Sequence, residues 1–214
     1  VARGDMSETQ ELVEKAGGKA IQITADLTSQ DCIPVIIEKT VAELGSVDIL
    51  VNNAGMIKRN DLADFTEQDW DDVINVNQKS LFFLCQAASK QMGAQGNGGK
   101  IINIASMLSF QGGIRVPSYT ASKSAVLGLT RLLANELANK NINVNAIAPG
   151  YMATDNTAAL QADEDRNRQI LERIPAGRWG TTKDLQGAAV FLASEASSYM
   201  QGYTIAVDGG WLAR

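Results

Sequence analysis

The chain has 214 residues, a formal net charge of -5 and no histidine. That length predicts one domain with a substantial core, the acidic balance offers no basic footprint for nucleic acid, and the missing imidazole excludes histidine triads and histidine metal sites. No apolar run approaches the roughly 18 residues that cross a bilayer, and the polar opening VARGDMSETQ does not read as a signal peptide, so the expectation is a cytoplasmic protein with no membrane partner.

In chain order, the pattern predicts a helix over residues 5–16, stopped by Gly17-Gly18, then a short β-prone run AIQITA at 20–25. Asp26-Leu27-Thr28 leads into a helix over 29–44, closed by Gly45, and VDILVN at 47–52 reads as a buried strand. Thr66-Glu67-Gln68-Asp69 has the spacing of a capping box and opens a long helix to Met92. A glycine-rich loop at 95–99 precedes the strand KIINIA. The helix over 117–139 carries Ala121, Ala125, Leu129, Leu132, Leu133 and Leu137 at intervals of three and four, which predicts one buried face. INVNAIA at 142–148 is a strand, residues 155–174 a charged helical excursion, 183–194 a helix and YTIAVD the last strand. Cys32 and Cys85, far apart within apolar helical patterns, are expected as free thiols.

Short apolar strands alternating with helices predict an α/β protein with a doubly wound, Rossmann-like parallel sheet. In such sheets ligands bind beyond the carboxyl ends of the strands. Asn52 to Gly55, Ser106 and Pro149-Gly150 all fall just past predicted strand ends.

Tyr119 and Lys123 are four apart on a predicted helix and so share a face. At neutral pH about one tyrosine in a thousand is ionised, and poising it there takes about 4 kcal/mol. A unit charge about 4 Å away at an effective dielectric near 20 supplies about that. Ser106, thirteen positions earlier, has a hydroxyl suited to a substrate oxygen. Asn77 sits inside a helix, where asparagine is uncomfortable and can bend the hydrogen-bond ladder. Asn53-Ala54-Gly55 permits a flat ring or a ribose to approach the backbone. Asp26 reads either as an acceptor for an exocyclic amine or as a helix cap, while Pro149, Gly150 and Thr154 read either as a ligand loop or as a plain one.

Asp26-Leu27, Asn52-Asn53-Ala54-Gly55, Asn77, Ser106, Tyr119-x-x-x-Lys123, Pro149-Gly150 with Thr154, and Val207-Asp208-Gly209-Gly210 occur in an order and spacing that resembles the short-chain dehydrogenase/reductase family. The resemblance covers nearly the whole chain. It implies hydride transfer with a nicotinamide cofactor and a catalytic tetrad of Asn77, Ser106, Tyr119 and Lys123. In that scheme Tyr119 is the general acid or base, Lys123 lowers its pKa and binds the nicotinamide ribose, Ser106 orients the substrate, and Asn77 positions a water. The implied cofactor contacts are Asp26, Leu27, Asn53, Ala54, Gly55, Tyr119, Lys123, Pro149, Gly150, Met152 and Thr154. No metal is implied.

The segments NGGKIINIASMLSFQGGIRVPSYTASKS, NINVNAIAPGYMATDNT, RIPAGRWG and GYTIAVDGGWLAR narrow the resemblance to members that interconvert a keto-deoxy sugar acid with its diketo form. Such a substrate carries a carboxylate. Ser106, Tyr119 and Arg115 are the substrate contacts expected first, with Lys58, Arg59 and Arg178 behind Arg115 as partners for that charge. The alternatives are another reductase of the family, acting on gluconate at C5 or on a 3-oxoacyl carrier protein, and a catalytically silent binding or oligomer-forming protein.

The family pattern also opens with a strand, a glycine-rich turn and a helix that receives a pyrophosphate. These are absent from the sequence given, in which Val1-Ala2 resembles the tail of the second strand; the expectation is a single domain over 1–214, incomplete at its N-terminus relative to the family. The sugar-acid group implies NAD, whereas Arg3 at that strand end suits the 2'-phosphate of NADP; NAD is placed ahead, with NADP as the alternative. A homotetramer paired through the helices at 66–92 and 117–139 is the assembly that the family implies.

Overall fold

A computed structural model describes residues 1–214. Four strands, β1 (Ile49–Asn52), β2 (Gly99–Ile104), β3 (Ile142–Pro149) and β4 (Thr204–Val207), lie side by side in that order, and every pairing is parallel. The helices are α1 (Ser7–Lys15), α2 (Ile33–Leu44), α3 (Glu67–Ile74), α4 (Leu81–Gln95), α5 (Pro117–Leu137), α6 (Ala158–Ala162), α7 (Glu164–Arg173) and α8 (Thr182–Ala193). The doubly wound α/β class expected from the alternation of strands and helices is the observed one.

The runs of Ile, Val and Ala in β2 and β3 explain the layering. Adjacent strand residues face opposite sides of a sheet. Ile101, Val144, Ala146 and Ala148 pack with Cys85, Ala88 and Met92 of α4 and with Val126, Leu133, Ala134 and Leu137 of α5. Their neighbours Ile102 and Ile147 face the other way, against Leu192 of α8. Both faces of β3 are therefore covered, which is why it reads as a continuous apolar run. Because all four strands are parallel, the turns after Asn52, Ile104, Pro149 and Val207 open on one edge of the sheet.

Three sequence expectations are corrected here. Residues 20–25 form no ladder: a single bridge joins Ala2 to Thr24, with hydrogen bonds from Ala2 to Ile23 at 3.3 Å and from Ala25 to Ala2 at 3.0 Å. A strand needs a neighbour of comparable length, and only this short segment lies beside it. The long helix from 66 is interrupted by a π-turn at Asn75–Ser80, though Thr66 caps its start as expected by accepting the Asp69 N–H at 3.1 Å. On α5 Leu133 and Leu137 are buried as expected, but the buried face continues through Ser122 and Val126, with Ala121, Ala125 and Leu129 half-buried on its flank and Leu132 45% exposed. The outer side of β1 has no neighbouring strand, and Ile49 and Val51 are each 48% exposed. Both cysteines are free, as expected.

Candidate active site

Pro117, with its fixed φ, starts α5 and places Tyr119 in the first turn and Lys123 one turn further on. Lys123 is 4% exposed; its Nζ donates to the Ile104 carbonyl at 2.6 Å and lies 5.7 Å from the centroid of the Tyr119 ring. Ser106, buried at the end of β2, accepts the Leu108 N–H at 3.2 Å, and its hydroxyl lies beside the Tyr119 phenol and favours its ionised form. The structure thus brings Ser106, Tyr119 and Lys123 together at the carboxyl edge of the sheet.

The electrostatics differ from the spacing argument. Burial alone pulls the Lys123 ammonium down to about 8. Burial likewise pushes the Tyr119 phenol above its ordinary value, and the neighbouring Ser106 hydroxyl and the Arg59 charge offset only part of that rise. The expected lowering of Tyr119 by Lys123 is absent from this arrangement. Lys123 spends its hydrogen bond on Ile104 and faces the ring rather than the phenolic oxygen, and desolvation weakens its own charge.

Asn77 lies in the π-turn and is 1% exposed. Its Oδ1 accepts the Met56 N–H at 2.8 Å, while Nδ2 donates to the Met56 carbonyl at 2.9 Å and to Ser122 Oγ at 3.2 Å. The Ser122 hydroxyl in turn donates to the Tyr119 carbonyl at 2.8 Å. A chain of hydrogen bonds therefore connects the turn after β1 to the start of α5. The widened helical turn is what aims Asn77 at that loop.

Around this centre lie the residues expected at the cofactor. Asn53 to Gly55 are exposed, and a Cβ built on Gly55 would meet Asn77 Oδ1 at 3.4 Å and Lys123 Nζ at 3.8 Å. Gly150 packs on the other side: a Cβ there would lie 2.5 Å from the Asp208 Cα, so only glycine fits between β3 and the turn after β4. Asp26 Oδ1 accepts the Thr28 N–H at 3.0 Å, which holds its carboxyl below the ordinary range, with Arg3 a lesser influence. The Leu27 carbonyl accepts from Ser80 Oγ at 2.6 Å. Leu27, Asn52, Ala54, Val76, Leu81 and Leu84 line a small depression beside this turn. Met152 is buried, and Thr154 caps the turn Asp155–Thr157.

The four cations considered for a substrate carboxylate separate clearly. Arg115 Nε is 2.9 Å from Asp61, Lys58 is 3.3 Å from Asp69 and 3.5 Å from Asp72, and Arg178 makes two 2.8 Å bonds to Asp184. Arg59 has no carboxylate within ion-pair distance; its one hydrogen bond runs from Nη2 to the Asn156 carbonyl at 3.1 Å.

A family model described as enoyl-(acyl carrier protein) reductase matches residues 1–212. The 2-dehydro-3-deoxy-D-gluconate 5-dehydrogenase of Escherichia coli K12 is 67% identical over 208 residues, covering 97% of this chain and 82% of that protein. This chain belongs to the short-chain dehydrogenase/reductase family. The enzyme of the same name from Bacillus subtilis 168 is 56% identical over 98% of the chain and 82% of its own length. A crystal structure of a gluconate 5-dehydrogenase from Burkholderia cenocepacia J2315, in complex with NADP and tartrate, superposes with a TM-score of 0.92 at 35% identity, over 100% of this chain and 85% of that one. Membership of the short-chain dehydrogenases carries nicotinamide-dependent oxidoreductase chemistry with it.

Within this short-chain dehydrogenase, two hydroxyls stand out that were not singled out from the sequence. Ser109 Oγ accepts the Ser106 N–H at 3.2 Å and donates to the Lys123 carbonyl at 2.6 Å, so one side chain fixes the loop carrying Ser106 to the helix carrying Lys123. Ser122 joins Asn77 to Tyr119 as described above. The three-residue spacing from Ser106 to Ser109 is a capping-box signal, satisfied by both serines, and was the one sequence cue available.

Proposed function

We propose that this protein oxidises 2-dehydro-3-deoxy-D-gluconate to its 2,5-diketo form, and reduces it in reverse, with a nicotinamide cofactor. The observation that carries this reading is the seating of Tyr119 between the Ser106 hydroxyl and the Lys123 ammonium, in a chain 67% identical to an enzyme of that name. A bound nicotinamide supplies the hydride acceptor or donor. Lys123, Tyr119, Asn53, Ala54, Gly55, Pro149, Gly150, Met152 and Thr154 would hold that end of the cofactor, and Asp26 and Leu27 the adenine end. The fit is supported by the bare backbone at Gly55 next to a desolvated ammonium, which suits ribose hydroxyls.

In the oxidative direction Tyr119, as the phenolate, takes the proton of the substrate hydroxyl, and Ser106 holds the same oxygen as it becomes a carbonyl; the raised phenol favours the protonated form that serves reduction. In reduction the proton returns from Tyr119. Asn77 keeps the loop after β1 in place and, in the family's scheme, would position a water for proton relay. Arg59, the one candidate cation without an acidic partner, receives the substrate carboxylate.

Arg3, whose charge acts on Asp26, and the NADP in the Burkholderia relative favour NADP over the NAD expected from sequence. The part-exposed Trp70 of α3 and Leu132 of α5 support pairing through these helices in a homotetramer, which sedimentation would test. No helix is long and apolar enough to cross a membrane, which is consistent with a cytoplasmic enzyme.

Relatives acting on gluconate, such as the 40% identical gluconate 5-dehydrogenase of Gluconobacter oxydans 621H, define the second reading. Initial rates followed by nicotinamide absorbance, with each acid and with NAD+ and NADP+, separate the two. The expected result is a kcat/KM at least about tenfold higher for the keto-deoxy acid, a difference of about 1.4 kcal/mol. Equal or higher efficiency with gluconate overturns the reading.

A further inference from the structure

The segment from Asp155 to Arg173 forms a lid beside the carboxyl edge of the sheet, tied down at both ends. At its far end Arg173 donates to Gln111 Oε1 at 3.2 Å and lies 3.9 Å over the Trp211 ring. At its near end Thr157 Oγ1 donates to the Met152 carbonyl at 2.6 Å, and Arg59 donates to the Asn156 carbonyl at 3.1 Å. The two arginines differ in what they have left to offer. The Arg173 guanidinium is covered by an indole. Arg59 is exposed, and it engages only Nη2, so the remaining N–H groups of its planar fork have no partner in the protein.

Arg59 also stands on fixed ground. It is three residues beyond Met56, whose backbone N–H and C=O are both held by Asn77, and its charge acts on Tyr119. One side chain therefore joins the loop after β1 to the first turn of the lid and still carries an unclaimed set of donors. A lone exposed bond from Arg59 to a carbonyl holds the lid weakly. A carboxylate on the free donors would immobilise the guanidinium, and with it the first turn of the lid.

We propose that Arg59 is the joint between substrate and lid: Nη2 holds the Asn156 carbonyl while the rest of the fork takes the substrate carboxylate, so that an anionic substrate fixes the lid and a neutral one does not. This rests on the sugar-acid reading above and adds to it a coupling between charge recognition and closure.

The test is limited trypsin digestion in the presence of cofactor, following cleavage after Arg166 and Arg168 of α7 by mass spectrometry. The probes are 2-dehydro-3-deoxy-D-gluconate and its methyl ester. In the wild type the acid is expected to slow lid cleavage at least tenfold and the ester hardly at all. Arg59→Met and Arg59→Lys, both at an exposed position that leaves the fold intact, should lose that protection even at saturating acid, because neither side chain has the fork. Arg59→Met should raise KM for the acid by roughly 10- to 100-fold, with the ester's KM unchanged. Full protection of Arg59→Met at saturation, or equal protection by the ester, overturns the proposal. If the wild type oxidises the acid without any acid-dependent protection, the joint falls and the sugar-acid reading stands. Failure of the wild type to oxidise the acid removes that reading and the joint together.

Discussion

The Asn77 amide grips both backbone polar groups of one residue, accepting the Met56 N–H at 2.8 Å and donating to the Met56 carbonyl at 2.9 Å. It mimics a strand neighbour for a loop that has none. Asn77→Ala leaves two largely enclosed backbone groups unpaired, so a loss of about 2 kcal/mol is expected, or roughly 4–8 °C in Tm for a chain of this size. Thermal melts without ligand check it. An unchanged Tm would mean that the loop finds other partners.

Tyr119→Phe retains the ring that packs near Lys123 and removes only the hydroxyl. Without a proton donor at that point, kcat should fall roughly 10²- to 10⁴-fold while Tm stays within about 1 °C. Retention of activity within a few-fold would remove Tyr119 from the reaction.

Lys123 gives stability an unusual pH dependence. Its pKa is about 8 in the folded chain, below the unfolded value, so between these the unfolded chain binds the extra proton and stability rises with pH. Cys85, pushed up to about 12 by burial, acts in the opposite sense above pH 9, as the folded chain then keeps a proton that the unfolded chain loses. The net expectation is a gain of about 1 kcal/mol between pH 8 and 9. Urea titrations of the wild type should show the rise, and Lys123→Met should abolish it. A rise that persists in the variant assigns it to another group.

Two glycines respond oppositely to a methyl group. Gly150→Ala drives a Cβ to 2.5 Å from the Asp208 backbone, and a cost of about 1–3 kcal/mol follows together with displaced Met152 and Thr154. Gly128 is inside α5 with nothing within 4 Å, so Gly128→Ala should stabilise by about 0.5–1 kcal/mol with activity intact. Paired denaturation curves decide both.

Much of this architecture is legible along the chain because it depends on local signals. Branched apolar runs mark β2 and β3, Pro117 marks the start of α5, and four-residue spacing puts Tyr119 and Lys123 on one face. The features that escape are those made by distant residues meeting. Asp61 claims Arg115 and no acid claims Arg59, a difference that spacing does not encode. Ser109 reaches Lys123 across fourteen positions. The direction of the Tyr119 shift follows from burial, which outweighs a cation directed at the ring face. Residues 20–25 have the composition of a strand, but a ladder needs a second row of residues to pair with.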